Sequence, residues 1–239
     1  MSRLFAELDR RTTPMGEVVL RRRLEPSLQV DVYEVKLGDE YLMSSLFTVS
    51  ETELARLGLA RAQGDALDVV VGGLGLGYTA QAVLDDPRVR RLDVIEALDA
   101  VIDWHHRHLV PLGARLAADP RCHLVHGDFF TRVAAGAQLT CDGHARVDAV
   151  LVDIDHTPRH VLDPSHASFY RPAGLQRMAG YLRPGGVFAL WSDDGPDDEF
   201  VAVLADVFDA PRTHVVEFRN PHTGGMSSST VYTATTAPA

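Results

Sequence analysis

A glycine-rich turn between an apolar segment and a helix-like segment constrains this chain more than any other feature of its sequence. Residues 67–71 (LDVVV) are mostly apolar, as expected of a parallel strand that is buried on both faces. The run GGLGLG follows at residues 72–77, and a helix is predicted from Tyr78 to Leu84. Glycines let the backbone turn tightly and approach a ligand closely, where N–H groups of the helix face that ligand. The segment therefore predicts a nucleotide- or nucleoside-binding site.

Segments typical of strands and helices alternate after residue 66. Further strands are predicted at residues 91–96, 123–126, 147–153 and 187–191, and further helices at residues 99–109, 172–182 and 198–208. Strands separated by helices imply a mostly parallel sheet with helices on both faces. No helix separates the last two predicted strands, residues 214–219 and 230–233, so they are expected to pair antiparallel at one edge. The predicted fold class is α/β, a doubly wound, seven-stranded Rossmann-like sheet with antiparallel C-terminal edge strands.

The first 60 residues have a different pattern. Short strands are predicted at residues 17–22, 30–36 and 40–43, with a turn at residues 37–39. The sequence SETE at residues 50–53 matches a capping box that opens a helix to about residue 59. We therefore expect a small β-rich N-terminal extension with a linking helix in residues 1–60, and a nucleoside-binding catalytic domain in residues 61–239.

The excess of acidic over basic residues disfavours some classes of binding partner. The 23 Lys and Arg residues are outnumbered by 33 Asp and Glu residues, which gives a net charge of −10. Nucleic acids and anionic membranes are bound by clustered Lys and Arg, so neither is expected as a partner. No apolar run approaches the roughly 18 residues of a membrane helix, and the opening MSRLFAELDRR lacks the apolar core of a signal peptide. We expect a cytoplasmic protein with a small-molecule substrate, whose N-terminal strands could pair with a second subunit in a homodimer.

Two acidic residues are placed to bind a nucleoside. Glu96 ends the second predicted strand of the sheet, about 20 residues after the glycine run, where a carboxylate can accept hydrogen bonds from both ribose hydroxyls. Asp128 ends the third strand, where a carboxylate could accept from an adenine amino group. A nicotinamide dinucleotide enzyme is the less favoured alternative, because it would normally continue with a sixth parallel strand or a second domain. The candidate cofactor-binding residues are Gly73, Gly75, Gly77, Glu96, Asp128 and Asp153.

These features, with RPGGV at residues 183–187 and the antiparallel strand pair, resemble the class I S-adenosylmethionine-dependent methyltransferase superfamily. Within it, most of the chain resembles the spermidine synthase (polyamine aminopropyltransferase) family. The motifs that carry this resemblance are GG at residues 72–73, VIE at 94–96, DPR at 119–121, GD at 127–128, DAVLVD at 148–153, FY at 169–170 and LRPGGV at 182–187. The resemblance implies a Rossmann-like methyltransferase sheet and a transferase that uses S-adenosylmethionine or its decarboxylated form.

The chain also departs from the pattern of that family. The family's glycine loop usually reads GGGDGG, and its aspartate helps to hold the aminopropyl end of decarboxylated S-adenosylmethionine; Gly75 stands at that position here. An aspartate would repel the carboxylate of intact S-adenosylmethionine, whereas glycine and backbone N–H groups would accept it. Residues 42–46 (LMSSL) replace the Tyr-His-Glu run of the family with almost no charge for a polyamine.

The predicted function is therefore methyl transfer from S-adenosylmethionine to a small-molecule acceptor, by displacement at the sulfonium. One alternative is aminopropyl transfer from decarboxylated S-adenosylmethionine to a polyamine, the spermidine synthase activity. A further alternative is a catalytically silent relative that binds the nucleoside.

Asp153, Asp155 and His156 are the candidate catalytic residues. Asp153 ends the fourth strand of the sheet, at the edge where open α/β sheets bind their ligands, so we expect it to orient the nucleophile. Asp155 or His156 would then be the general base. The alternative for both is that they only order the loop.

Two sets of side chains in this part of the sequence could also bind a metal ion. His156, His160 and His166 are the first candidate set, but Pro158 disfavours a helix that would present them together. Asp153, Asp193 and Asp194 could bind a divalent cation, but the last two fit a turn and helix cap equally well. We therefore assign no metal ligands.

Overall fold

The computed structural model describes residues 4–239. Residues 5–44 form a separate antiparallel sheet. The four strands follow the chain order: β1 (Phe5–Thr13), β2 (Gly16–Glu25), β3 (Val30–Leu37) and β4 (Glu40–Ser44). Strands β2, β3 and β4 match the predicted ones, whereas β1 was missed. Strand β1 lies at the sheet edge and has no fully buried side chain, so its sequence lacks a clear apolar alternation.

The larger sheet has seven strands, as predicted. They are β5 (Leu67–Gly72), β6 (Val89–Glu96), β7 (Cys122–His126), β8 (Val147–Val152), β9 (Leu182–Ser192), β10 (Asp209–Arg219) and β11 (Met226–Thr235). Their order is β10-β11-β9-β8-β5-β6-β7. The five strands from β9 to β7 are parallel, and β11 runs antiparallel to both of its neighbours. The doubly wound fold class and the antiparallel edge pair are confirmed.

Helices cover both faces of this sheet. They are α1 (Val49–Leu59), α2 (Tyr78–Leu84), α3 (Asp99–His106), α4 (Gly113–Ala118), α5 (Phe129–Ala135), α6 (Pro172–Ala179) and α7 (Asp198–Ala205). One apolar cluster buries Leu54 and Trp104 against the sheet, and a second buries Phe129 and Leu204 on the other side. Two hydrophobic layers around a buried parallel sheet account for the nearly continuous apolar runs of its strands. No helix in residues 4–239 is long and apolar enough to cross a membrane.

The capping box predicted at the start of α1 is wrong. The residue before the helix is Thr48, whose side chain makes no capping hydrogen bond. Ser50 is buried in the first turn, and its hydroxyl lies 2.7 Å from the hydroxyl of Ser229 in β11. Glu53 instead pairs with Arg56. A tertiary contact has replaced the local cap, because α1 packs directly on the strands at this edge of the sheet.

The N-terminal sheet is joined to the body by polar contacts as well as by α1. The indole N–H of Trp104 donates to Asp9 at 2.7 Å, and Arg11 pairs with Asp103. On the opposite strand of that sheet, the Met43 sulfur accepts a hydrogen bond from the backbone N–H of Leu76. The extension therefore covers the glycine loop.

Candidate active site

A cavity of about 1030 Å³, including its open mouth, lies between the N-terminal sheet and the carboxyl ends of the central parallel strands. Apolar side chains form much of its wall, among them Val35, Leu37, Leu42, Ile95, Leu98 and Phe129. Four acidic residues also line it: Glu51, Glu96, Asp128 and Asp153. Among the residues that the structure describes, no lysine or arginine lines the wall. The cavity therefore favours ligands that combine apolar surface with positive charge.

The glycine loop adopts left-handed backbone conformations that favour glycine. Gly73, Gly75 and Gly77 have φ angles of +95°, +49° and +91°. A side chain on Gly73 would collide with the backbone carbonyl of Asp153, so the loop passes close to the end of β8. Gly73 and Gly75 line the cavity. Gly77, which was predicted to bind the cofactor, instead begins α2 and faces Leu116 behind the loop.

The backbone N–H groups of the loop have acceptors of unequal strength. Leu74 N–H donates to Glu96 at 2.9 Å, and Gly75 N–H lies 3.5 Å from the same oxygen. Leu76 N–H donates to the Met43 sulfur, which lies directly against Gly75. Because a thioether is a weak acceptor, Leu76 N–H is available to a stronger one.

Glu96 has a structural role in addition to its place on the cavity wall. One carboxylate oxygen accepts from Leu74 N–H, and the other accepts from Leu98 N–H at 2.9 Å. Its side chain is buried; burial raises its pKa, and these backbone donors oppose the rise. A carboxylate offers about four acceptor positions, and the bond from Gly75 N–H is long at 3.5 Å, so a ligand hydroxyl can take that position. Glu96 thus orders the glycine loop while it faces the cavity.

Asp128 caps helix α5 and lines the cavity. The first oxygen, Oδ1, accepts from Thr131 N–H at 2.5 Å. The second, Oδ2, lies 3.9 Å from Nε2 of His166, which also lines the cavity. The sequence identified Asp128 from its place after a strand, but it did not predict His166 as its neighbour.

Asp153 and Glu51 form a pair of carboxyl groups on the cavity wall. Asp153 accepts a hydrogen bond from the Thr79 hydroxyl at 2.6 Å; burial raises its pKa, and this bond opposes the rise. Glu51 comes from the first turn of α1, and its pKa is raised by burial and by the negative charge of Asp153. The charge of Glu51 also contributes to the raised pKa of Tyr78. A proton or a bound cation would relieve the repulsion between the two acids.

Asp155 does not face the cavity. It is buried, and its Oδ1 accepts from Leu162 N–H at 2.8 Å and from His166 Nδ1 at 2.9 Å. Its Oδ2 accepts from the Tyr170 hydroxyl at 2.8 Å. Three protein donors surround this carboxylate, so its geometry does not suit the predicted role of a general base. The structure favours the alternative, in which Asp155 orders the loop after β8.

His156 does line the cavity, as a catalytic candidate should. Its ring packs edge-on against His160 with the ring centroids 4.9 Å apart, and its backbone carbonyl accepts from Asp193 N–H at 2.7 Å. Within residues 4–239, no group of three or more His, Cys, Asp or Glu side chains is arranged to hold a metal ion.

The sequence did not predict three polar side chains of the cavity wall. They are Glu51, Trp191 and His166, and the sequence suggested the last only as a metal ligand. Glu51 lies within the predicted capping box. It is also the first acidic residue after the N-terminal strands, which is the one feature of the sequence that sets it apart. Trp191 ends the parallel part of β9, and its buried indole N–H has no hydrogen-bond partner among the described residues. That unpaired donor is a signal that only the structure provides.

The fold and the position of the cavity define a class of protein. The chain superimposes on the crystal structure of spermidine synthase from Thermotoga maritima with a TM-score of 0.72, covering 98% of this chain and 74% of that one at 16% identity. This is the spermidine synthase-like form of the class I methyltransferase fold, and the superposition extends over nearly the whole of this chain.

Two curated proteins resemble about half of this chain in sequence. Putrescine N-methyltransferase 3 of Nicotiana tabacum is 33% identical over 119 residues, which cover 50% of this chain and 28% of the tobacco enzyme. The polyamine aminopropyltransferase of Prochlorococcus marinus (strain MIT 9313) is 29% identical over 127 residues, or 52% of this chain and 40% of that enzyme. The chain thus aligns with less than half the length of either relative. No family model matches the sequence. The chain has a spermidine synthase-like fold, and its relatives in sequence include both methyl- and aminopropyltransferases.

Proposed function

We propose that this protein is a transferase that moves a methyl group from S-adenosylmethionine to a small amine. The observation that carries the proposal is the cavity wall, where four carboxyl groups stand among apolar side chains without a described lysine or arginine. Both substrates of such a reaction are cationic, one at its sulfonium and the other at its ammonium group. A low-dielectric, acid-lined cavity stabilises both charges.

The described residues fit an adenosyl sulfonium ligand. Glu96 retains acceptor capacity for the ribose, and Asp128 Oδ2 is free to accept from the adenine amino group. Ile95, Leu98 and Phe129 offer apolar walls for the base. The glycine loop would then face the sulfonium end, next to Asp153.

The environment of Gly75 favours the intact cofactor over its decarboxylated form. No acidic side chain stands at this position, and the neighbouring N–H of Leu76 is held only by the Met43 thioether. A carboxylate is a much stronger acceptor and would displace that sulfur. Decarboxylated S-adenosylmethionine lacks the carboxylate and would gain nothing from this donor.

When bound, S-adenosylmethionine supplies both the methyl carbon and the leaving group. The protein has to align the amine, exclude water and remove a proton from the amine before its nitrogen can attack. Asp153, held by Thr79, would orient the amine, and the Asp153–Glu51 pair would take its proton because both pKa values are raised. A new C–N bond then forms as the C–S bond breaks, leaving S-adenosylhomocysteine. His156, on the same wall, is the second candidate for the proton acceptor.

Aminopropyl transfer remains the alternative, because the same acidic wall suits a polyamine and one relative in sequence is an aminopropyltransferase. A catalytically silent protein would keep the nucleoside site without turnover.

Calorimetry with S-adenosylmethionine and its decarboxylated form, side by side, separates methyl transfer from aminopropyl transfer. Native protein is expected to bind the intact cofactor at least as tightly. Gly75→Asp should weaken S-adenosylmethionine relative to the decarboxylated form, by adding a negative charge beside the carboxylate. Gly75→Asn is the matched control, since it has the same size and tolerates the left-handed backbone but carries no charge. A strong native preference for the decarboxylated form would overturn methyl transfer in favour of aminopropyl transfer.

A further inference from the structure

We propose that His166 and Asp128 together recognise the two amino hydrogens of adenine, which makes His166 a specificity-determining residue. The inference rests on the proposed function, because it assigns the base of the same ligand. The sequence suggests His166 only as one member of a candidate metal-binding set. In the structure His166 lines the cavity next to Asp128, where we expect the adenine base to bind.

The tautomer of His166 is fixed by Asp155. The carboxylate of Asp155 accepts hydrogen bonds on both oxygens, from Leu162 N–H, the Tyr170 hydroxyl and Nδ1 of His166. Nδ1 is therefore the donor, and in a ring whose only proton is on Nδ1 the lone pair is on Nε2. Phe130 holds the plane of the ring, with centroids 4.1 Å apart and an angle of 32° between the rings. Asp155 thus acts as a positioning residue for an acceptor on the cavity wall.

Nε2 of His166 and Oδ2 of Asp128 lie 3.9 Å apart, too far for a hydrogen bond between them. Neither atom has a hydrogen-bond donor among the described residues. An amino group presents two N–H bonds about 120° apart, so two acceptors at about 2.9 Å from its nitrogen stand about 5 Å apart. If Nε2 and Oδ2 moved about 1 Å further apart, both atoms could accept hydrogen bonds from one amino group. A carbonyl oxygen in the same place, as in hypoxanthine, would face two acceptors.

The position of His166 separates it from the transfer chemistry. Asp128 follows β7 and Asp153 follows β8, and strands β5 and β6 lie between them. Three strand spacings amount to about 14 Å. The contacts of His166 with Asp128 and Phe130 therefore place it at the β7 end, away from the carboxyl pair.

The test compares S-adenosylhomocysteine with its deaminated analogue, S-inosylhomocysteine, by calorimetry on the whole protein. Native protein should prefer the adenine compound by about 100-fold, since two buried acceptors reject a carbonyl. His166→Leu keeps the apolar contact with Phe130 but removes the acceptor, and should reduce that preference to about 10-fold. His160→Gln changes an exposed histidine of the same loop that does not line the cavity, and should leave the preference unchanged. His166→Gln, which retains an acceptor, should restore part of it.

An undiminished preference in a folded His166→Leu variant would overturn the inference. If that variant does not fold, N6-methyl-S-adenosylhomocysteine decides the question with native protein, because it has a single amino hydrogen. It should bind at least about 10-fold more weakly than S-adenosylhomocysteine, and equal binding would overturn the inference. Equal native binding of the adenine and hypoxanthine compounds would overturn the inference alone. No native binding of S-adenosylhomocysteine would overturn the proposed function as well.

Discussion

Asp153 lies on the cavity wall, where its carboxylate accepts a hydrogen bond from the hydroxyl of Thr79. Asp153→Asn keeps an acceptor for that hydroxyl but removes the charge that would orient an amine and take its proton. We expect cofactor binding within a few-fold of native and a loss of turnover of about 100-fold or more, the usual scale for a positioned acid–base group. Initial rates at saturating cofactor would measure it.

The matched control for this variant is Asp193→Asn. Asp193 is an exposed acid beyond the next strand and does not line the cavity, so its substitution should leave turnover unchanged. Native turnover in a folded Asp153→Asn variant would show that Asp153 is not catalytic and that the loop only covers the cofactor.

Glu96 combines two roles that different substitutions separate. Glu96→Ala leaves the N–H groups of Leu74 and Leu98 without their acceptor, so we expect a lower melting temperature even without ligand. Glu96→Gln keeps one acceptor oxygen and should fold more nearly like native. It should still bind S-adenosylmethionine at least about 10-fold more weakly, because charge-assisted bonds to the ribose are lost.

Thermal melting and calorimetry on the same samples would measure both effects of Glu96. Unchanged affinity in Glu96→Gln would place this carboxylate outside the ligand site and leave it only the ordering of the loop.

Helix α1 brings Glu51 into the cavity, and this has a consequence for stability. The pKa of Glu51 is raised from 4.5 to about 8, and that of Asp153 from 3.8 to about 6. The folded protein therefore retains protons that the unfolded chain releases, so the free energy of unfolding falls as pH rises from about 4 towards about 8. Glu51→Gln should flatten this slope and be most stabilising, relative to native, near the upper end of that range.

Urea unfolding at both ends of the pH range would measure this effect. Glu53→Gln, a change in the same helix at a residue paired with Arg56, is the control and should keep the native slope. An identical slope in native protein and Glu51→Gln would mean that Glu51 ionises normally and does not share charge repulsion with Asp153.

The loop after β8 shows why the sequence identified some site residues and not others. Asp153 was predicted because it directly follows a buried strand, whose end fixes its position. Asp155 is only two residues further on, but the loop turns its side chain into the protein towards Leu162, His166 and Tyr170. The partners of a loop carboxylate come from its tertiary fold, so proximity in sequence to a catalytic residue did not predict its role.

At the scale of the whole molecule, the sheet could be predicted and the cavity could not. Buried parallel strands have apolar runs that are bounded by glycine turns, so β5 to β9 were recognisable. The edge strand β1 has no such run. Glu51 in α1 and Asp153 after β8 lie on the same cavity wall, where the charge of Asp153 raises the pKa of Glu51, and no local pattern in the sequence predicts this. Residues 42–46 carry almost no charge for a polyamine, whereas the structure adds the acidic side chain of Glu51 to the same cavity wall.

Methyl transfer to an amine within this cavity can be tested directly. The most direct measurement incubates the protein with S-adenosylmethionine carrying an isotopically labelled methyl group and a panel of small amines, including putrescine, and analyses the products by mass spectrometry. We expect a labelled N-methyl amine and an equal amount of S-adenosylhomocysteine, both formed about 100-fold or more slowly by Asp153→Asn. An aminopropylated amine formed from the decarboxylated cofactor, with no labelled product from the intact one, would contradict methyl transfer.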